Sequence, residues 1–306
     1  MSQDAYFVYQ KKEQGICILR CYAKESRIVI PRELDGEEVT EIASYAFAQE
    51  MDEEPENPGE LPCICGELVE EVLLPDTIRR IGRYVFYNCR NLKSLSFYTD
   101  IAYMGAGAFT GCKGLCKLIA CEAQEEKSCL REILVDLNQT VVVEFKGRER
   151  YQVLYPAFFE EAVENTPARI IETHTHGVGI QYRNAFQNTQ IDWKEYDRLF
   201  DIGKYNMEQK EAVCLAAYRL MGNTKPEEKA AEGYRSYLEE HLKAAAEIFL
   251  MQEERQLLVW LAEEFVTDVG QMDMLVEAVQ ENAELLSLFM DISHNRFTQK
   301  TKGFSL

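Results

Sequence analysis

Apolar side chains in the first third of the chain recur at a fixed distance. Ile78 and Ile101, Ile81 and Met104, Phe86 and Phe109, Cys89 and Cys112, Leu92 and Leu115, and Leu95 and Leu118 share one 23-residue spacing, and Gly82 and Gly105 keep it too. Self-similarity at one period is the mark of a repeat architecture. Upstream, Val39, Ile42, Ala46 and Phe47 precede Ile78, Ile81, Val85 and Phe86 at a 39-residue offset, which is the 23-residue period plus an insertion of 16. The pattern puts that insertion at residues 50–65, whose acids, prolines and glycine predict a solvated loop. Val69, Val72 and Leu74 then resume the register, one 23-residue period before Leu92, Leu95 and Phe97. A 23-residue unit cannot enclose a core of its own, so the units must stack into a solenoid with each Ile, Phe and Leu against its counterpart. Within a unit, Val72-Leu73-Leu74-Pro75 and Leu95-Ser96-Phe97 alternate as short strands, and Gly82 and Gly105 mark a turn that needs positive φ or close backbone approach.

The order strand, proline, Ile-Gly, Ala-Phe, Cys, Leu resembles the BspA-type leucine-rich repeat family. It is carried by residues 28–47, 72–97 and 101–118, with departures at Tyr98, where the proline is missing, and at Ala43, where the glycine is missing. Residues 5–22 are similar to the hairpin that precedes the first repeat in that family, with Gly15 at the turn. The resemblance covers about residues 5–121 and implies a leucine-rich repeat solenoid.

Beyond Ala120 the period stops. Residues 121–129 read as an acidic connector, and residues 130–154 place β-branched runs on either side of Lys146-Gly147-Arg148, predicting a hairpin that covers the open end of the solenoid. A short helix is expected over Ala157 to Glu164, and Gly177 and Gly179 mark a loop. From Ile191 the pattern turns helical. Asp192 with Glu195, Asn206 with Gln209, and Thr224 with Glu227 each pair a cap residue with an acid or amide three positions later. A long helix is predicted from Pro226 to Met251, with Ala230, Tyr234, Leu238, Leu242, Ala245 and Phe249 on one stripe. Others follow at Glu253 to Thr267, Gln271 to Glu281 and Ala283 to Ser293, broken at Gly270 and Asn282. These last helices are vaguely similar to ankyrin or HEAT hairpins. The expected fold is α+β: a leucine-rich repeat domain with an N-terminal hairpin cap (1–122), a β-hairpin and connector region (123–190) and an α-helical domain (191–306).

Composition narrows the function. Fifty-two acidic against 33 basic side chains give a net charge of −19, which phosphate backbones and anionic lipid head groups would repel, so neither nucleic acid nor a membrane is an expected partner. Ten cysteines in a chain large enough to fold without staples, with no apolar leader in its first residues, predict reduced thiols and a cytoplasmic setting. Cys89 and Cys112, at equivalent repeat positions, read as small buried hydrophobes, whereas Cys63 and Cys65, in the acidic insertion, are the expected exposed pair.

Catalytic signatures are lacking, as GxSxG, Walker and GxGxxG motifs do not occur. His174 and His176 share one strand face and could ligate an ion with Glu172, but two imidazoles and one carboxylate fall short of a fixed zinc site. No cofactor is expected. The remaining candidate is the outward face of the solenoid strands, read as Glu71, Leu73, Ser94, Ser96, Lys117 and Ile119, because each repeat adds a side chain to one continuous surface. The expected function is a non-enzymatic protein–protein interaction module, and the alternative is a metal-dependent enzyme built on His174 and His176.

Overall fold

The computed structural model describes residues 5–51, 55, 59, 61–122, 128–165 and 170–298. The chain divides into two compact units, one running to Met207 and including Gly222–Thr224, the other comprising Glu208–Met221 and the chain from Lys225 onward.

In the first unit, β1 (Ala5–Lys12) and β2 (Gly15–Ala23) form the expected opening hairpin, antiparallel, with Lys12 opposite Gly15. The solenoid turns follow as β3 (Arg27–Val29), β4 (Glu33–Leu34) and β5 (Glu37–Ile42), then β6 (Glu71–Leu73) and β7 (Arg80–Ile81), then β8 (Ser94–Tyr98) and β9 (Tyr103–Met104), then β10 (Lys117–Cys121). After the helix α1 (Leu130–Asp136), the hairpin of β11 (Val141–Lys146) and β12 (Arg150–Tyr155) closes the series. One sheet is ordered β1-β2-β5-β7-β9 with β4 beside β5, and the other β12-β11-β10-β8-β6-β3. The hairpin expected over residues 130–154 is therefore shorter. Residues 130–136 turn as a helix whose Leu130, Ile133 and Leu134 are buried, and the strands begin at Val141.

The strand register obeys the 23-residue period. Glu71 stands beside Ser94 and Ser94 beside Lys117, all parallel, while Arg80 stands beside Tyr103. Ile42 stands beside Ile81, at the 39-residue offset. Ile28, however, stands beside Val72, at a 44-residue offset, so the first turn holds 44 − 39 = 5 further residues. They form the β4–β5 hairpin, whose two-residue loop Asp35-Gly36 has positive φ at both positions, as a type I′ turn demands.

Stacking of equivalent side chains fills the core. Phe47 and Phe86 lie 5.2 Å apart between centroids with planes 13° apart, and Phe86 and Phe109 lie 5.4 Å apart at 20°. All three are buried, with Ile42, Ile78, Ile81, Leu92, Leu95, Leu115 and Leu118 around them. Close approach explains the repeat glycine: a Cβ on Gly82 would collide with the backbone of Ala43 and Ser44, and one on Gly105 with that of Gly82 and Arg83. Neither glycine has positive φ. The left-handed corner lies two residues further on, at Tyr45 (φ 61°), Tyr84 (φ 52°) and Gly107 (φ 65°). Gly107 adopts it without strain, whereas the tyrosines bear an αL cost of roughly 1–2 kcal/mol each, offset by their mutual stack at 5.4 Å.

Each end of the stack supplies the partners that a further turn would provide. At the start, the buried Arg20 of β2 donates through its guanidinium to the carbonyls of Ala46 and Ala48, at 3.2 and 2.6 Å. At the finish, the Phe47 and Phe86 amides donate to the carbonyls of Val85 and Ala108 in the next turn, and the Phe109 amide donates instead to the Asp136 carboxylate at 3.4 Å. Gln139 Nε2 donates to the carbonyls of Cys112 and Leu115, both at 2.9 Å. Arg183, buried in the short helix α2 (Gly179–Asn184), donates to the carbonyls of Leu134, Leu137, Gln139, Pro156 and Gly179 and so ties α1, the hairpin and α2 together.

Three expectations in this unit are corrected. The segment expected as a helix over Ala157 to Glu164 is instead β13 (Phe159–Asn165), antiparallel to β14 (Ile170–His176). The segment lacks a one-sided apolar stripe and pairs with a strand rich in β-branched residues. Gly177 marks a bend at φ 87°, while Gly179 opens α2 and is not in a loop. Of the expected loop at 50–65, residues 52–54, 56–58 and 60 lie outside the described residues, as do 123–127 of the connector. The end of the loop is not solvated: Ile64 is buried, its amide donates to Cys21 O, and the Ala23 amide donates to Pro62 O.

The first unit ends with α3 (Trp193–Gly203), capped as expected by Asp192, whose carboxylate accepts from the Glu195 amide at 3.0 Å. The second unit is helical: α4 (Gln209–Met221), α5 (Glu228–Glu240), α6 (Leu242–Met251), α7 (Arg255–Glu264), α8 (Val269–Ala278) and α9 (Ala283–Ser293). Residues Glu211 to Leu220 of α4 are buried on every side, and α5 and α6 pack on it. Further along, α7 and α8 pack on α6, and α9 on both of them. Two expected caps are corrected. Asn206 belongs to the end of the preceding helix, donating its amide to Gly203 O, and Glu227 rather than Thr224 holds the N-cap position of α5. The long helix breaks at His241, where φ is −116° and the ring stacks on Tyr237 at 4.2 Å. Its apolar stripe is nonetheless buried from Tyr234 to Phe249. Gly270 lies inside the first turn of α8, whose cap is Asp268, and Asn282 caps α9.

Phe86→Ala or Phe109→Ala should cost about 3–5 kcal/mol, the range for emptying a packed aromatic site. Reversible urea titration measures this, and a loss below about 1 kcal/mol would mean that the stacking register is wrong.

Candidate binding face of the solenoid

Strand alternation sorts the sheet of β3, β6, β8, β10 and β11 into two faces. Ile28, Val72, Leu95, Leu118 and Val143 point inward and are buried. The six positions read from the sequence point the other way and form two rows across the strands. One row runs Arg27, Glu71, Ser94, Lys117, Val142 and the other Val29, Leu73, Ser96, Ile119, Glu144. None of the six is buried: Lys117 is exposed and Glu71, Leu73, Ser94, Ser96 and Ile119 are half-buried.

The period is what brings these side chains together. In a parallel ladder with a 23-residue turn, equivalent residues sit one strand spacing apart, so a row is a column of the repeat alignment. The rows differ in chemistry. In the first, Arg27 pairs with Glu71 at 2.9 Å. Across the rows, Glu144 lies 3.6 Å from both Lys117 and Lys146. Such exposed pairs contribute roughly 0–1 kcal/mol and serve to orient side chains. In the second row, Val29, Leu73 and Ile119 are apolar, with Ser96 between the last two and Val29 52% exposed. The two rows thus bring charged, hydroxyl and apolar side chains together on one outward surface.

Sequence reasoning missed Arg27, Val29, Val142 and Glu144. The five extra residues of the β4–β5 hairpin hide the first strand from the period, and β11 follows a helix rather than a repeat. The alternating run Val141-Val142-Val143-Glu144-Phe145 was the available signal for the second.

His174 and His176 lie on one face of β14, opposite Glu161 and Phe159 of β13. His176 Nε2 is 3.2 Å from Glu161 Oε2 and its ring stacks on Phe159 at 4.5 Å, while His174 is 3.6 Å from Glu172. Both imidazoles are about half exposed. Among the described residues no three His, Cys, Asp or Glu side chains gather as a metal site.

The cysteines separate by environment. Cys89 Sγ donates to Phe47 O at 3.2 Å and Cys112 Sγ to Phe86 O at 3.0 Å, so each thiol satisfies a carbonyl of the preceding turn. Burial pushes the Cys112 thiol up to about 12 and Cys89 higher still, and likewise pushes Cys21, Cys129 and Cys214 to about 12. Cys63 and Cys65 are half-buried rather than fully exposed, and Cys116 is exposed.

Comparison with known proteins agrees with this geometry. Residues 63–127 match the family described as BspA type Leucine rich repeat region (6 copies), the segment that builds β6 to β10. Among solved structures the chain is similar to the T. pallidum leucine rich repeat protein (TpLRR), at 22% identity and a TM-score of 0.26. That match covers 46% of this chain and 62% of the other, less than two thirds of its length. No curated protein matches. Residues 63–127 thus carry BspA-type leucine-rich repeats within the β-solenoid of the first unit, and the described residues form an α+β protein in which a helical unit follows. No helix among the described residues is long and apolar enough to cross a membrane.

The thiols can be tested in two ways. A thiol reagent added to the folded protein should modify Cys116 quickly and leave Cys89 and Cys112 unmodified until denaturant is added, as peptide mass mapping would show. The buried thiols should also make stability fall with alkali. Their folded pKa values are raised, so the stability they contribute is fully present below the ordinary thiol range near 9 and is lost as pH rises towards about 12. Each such thiol should add up to about 1.4 kcal/mol per pH unit to that decline, and flat urea midpoints from pH 8 to pH 11 would contradict the burial.

Proposed function

We propose that this chain is a non-enzymatic protein-interaction module whose binding surface is the outward face formed by Glu71, Leu73, Ser94, Ser96, Lys117 and Ile119, extended by Arg27, Val29, Val142 and Glu144. The observation that supports the reading is the pair of aligned rows, one with Arg27, Glu71 and Lys117 and the other with Val29, Leu73 and Ile119, on a sheet whose inner face is occupied by core. Leucine-rich repeat modules in general bind proteins along surfaces built in this way, and the match at residues 63–127 supports applying that to this chain. Apolar positions flanked by charges suit a protein segment that buries a few side chains and is oriented by its polar ones. The net charge of −19 favours a partner with a basic surface over nucleic acid or an anionic membrane, and ten unbridged cysteines suit a reducing, cytoplasmic setting.

The test compares the full chain with Leu73→Asp/Ile119→Asp, which places two charges on the second row without touching the inner face. Affinity purification from the source cells should recover a defined protein with the parent chain and lose it by about tenfold or more with the variant, while the melting temperature stays unchanged. A partner held equally by both proteins would move the binding surface elsewhere, and turnover in a substrate screen with no recovered protein would contradict the module reading altogether.

A further inference from the structure

Apart from the sheet face, the first unit contains a cavity of about 370 Å³ lined, among the described residues, by aromatic rings, polar side chains and one carboxylate. Phe145 and Tyr151 stack at 4.7 Å and 12°, and Trp193, at the start of α3, meets Tyr151 at 6.2 Å and 60°. Tyr151 and Trp193 both line the cavity, with Phe186 and Ile191 beside them. Thr99, Ser128, Thr189 and Gln190 add polar atoms. Among the described residues that line the cavity, Glu122 is the one that carries a charge, and none is Lys, Arg or His.

The backbone of Glu122 is tied to the β11–β12 hairpin, and its carboxylate lies over Gly147. The Glu122 amide donates to Lys146 O at 3.0 Å, and a Cβ on Gly147 would collide with the Glu122 side chain, so the glycine of the β11–β12 turn leaves the space that this carboxylate fills. The negative field reaches the wall: the Tyr151 hydroxyl is pushed up to about 12, mostly by burial and then by the charges of Glu122 and Glu149.

Aromatic faces attract cations through the ring quadrupole, and a carboxylate in the lining offsets the desolvation of an ammonium. An anion would meet Glu122 and a neutral apolar group would gain nothing from it. The protein's net charge of −19 also raises the local concentration of cations. We propose that this cavity binds an alkylammonium group, seated beside the rings of Tyr151 and Trp193 with Glu122 as its counter-charge. The same chemistry is offered by a free quaternary amine and by a lysine side chain of a peptide.

The chain has two tryptophans, so Trp260→Phe in the full-length protein leaves Trp193 as the reporter. Its emission is followed at constant ionic strength while choline, or separately Nα-acetyl-lysine amide, is added. At least one should give a saturable change with a Kd at or below about 10 mM, and 3,3-dimethylbutanol, the neutral isostere of choline, should bind about tenfold more weakly. Glu122→Gln should weaken the ammonium by about five- to tenfold at an unchanged melting temperature. Saturation by choline alone identifies a free amine as the occupant, and saturation by the lysine amide identifies a peptide side chain. No saturable response to either, equal binding of the neutral isostere, or undiminished affinity in Glu122→Gln would each overturn the proposal.

Discussion

A 23-residue turn has too little apolar area to exclude water from itself, so every turn of this solenoid depends on a neighbour that repeats its side chains in register. The stack of Phe47, Phe86 and Phe109 is the most concentrated expression of that constraint. Rings spaced 5.2 and 5.4 Å apart require backbones separated by one strand spacing, and this fixes much else. Gly82 and Gly105 must lack side chains because the turn below passes where a Cβ would sit. Cys89 and Cys112 fit because a small thiol can donate to the carbonyl one turn back without disturbing the rings. The outward rows of the candidate face follow from the same register seen from the other side of the sheet.

A stack has two ends, and there the constraint turns into a problem of unsatisfied backbone. The chain answers it with side chains that take the place of a missing turn. Arg20 donates to the carbonyls of the first turn, the Asp136 carboxylate accepts from the Phe109 amide, Gln139 satisfies the carbonyls of Cys112 and Leu115, and Arg183 ties the closing elements together. The β11–β12 hairpin carries the sheet past the repeats, and its far strand supplies Tyr151, which borders the aromatic cavity. Closing the solenoid and forming that cavity are thus one structural event.

Much of the first unit was legible because its information is periodic. The 23-residue spacing predicted which residues are buried, which rings touch and where the insertion falls, and Ile42 beside Ile81 bears out the 39-residue offset. What was not legible is the part that depends on one-off contacts. Nothing local marks Arg20, Asp136 or Arg183 as caps, since apart from Gly179 beside Arg183 the partners named above lie 26 to 49 residues away. Residues 159–165 carry no one-sided apolar stripe, and only pairing with residues 170–176 makes them a strand. In the helical unit the stripe from Tyr234 to Phe249 was right, but no glycine or proline announces the break at His241. The outward positions Glu71 to Ile119 were readable as geometry, whereas a ligand for them is not written in the period.

Native-state hydrogen exchange tests the dependence of each turn on its neighbours most directly. The amides of Gly82, Phe86 and Gly105 donate between turns, to Ile42 O, Ala108 O and Ile81 O. If no turn is stable without the next, these amides should exchange with one common opening free energy, equal to that of global unfolding of the solenoid unit, and should respond to denaturant with the same slope. Turn-by-turn opening, with Gly105 exchanging through a small local fluctuation while Gly82 stays protected, would contradict it.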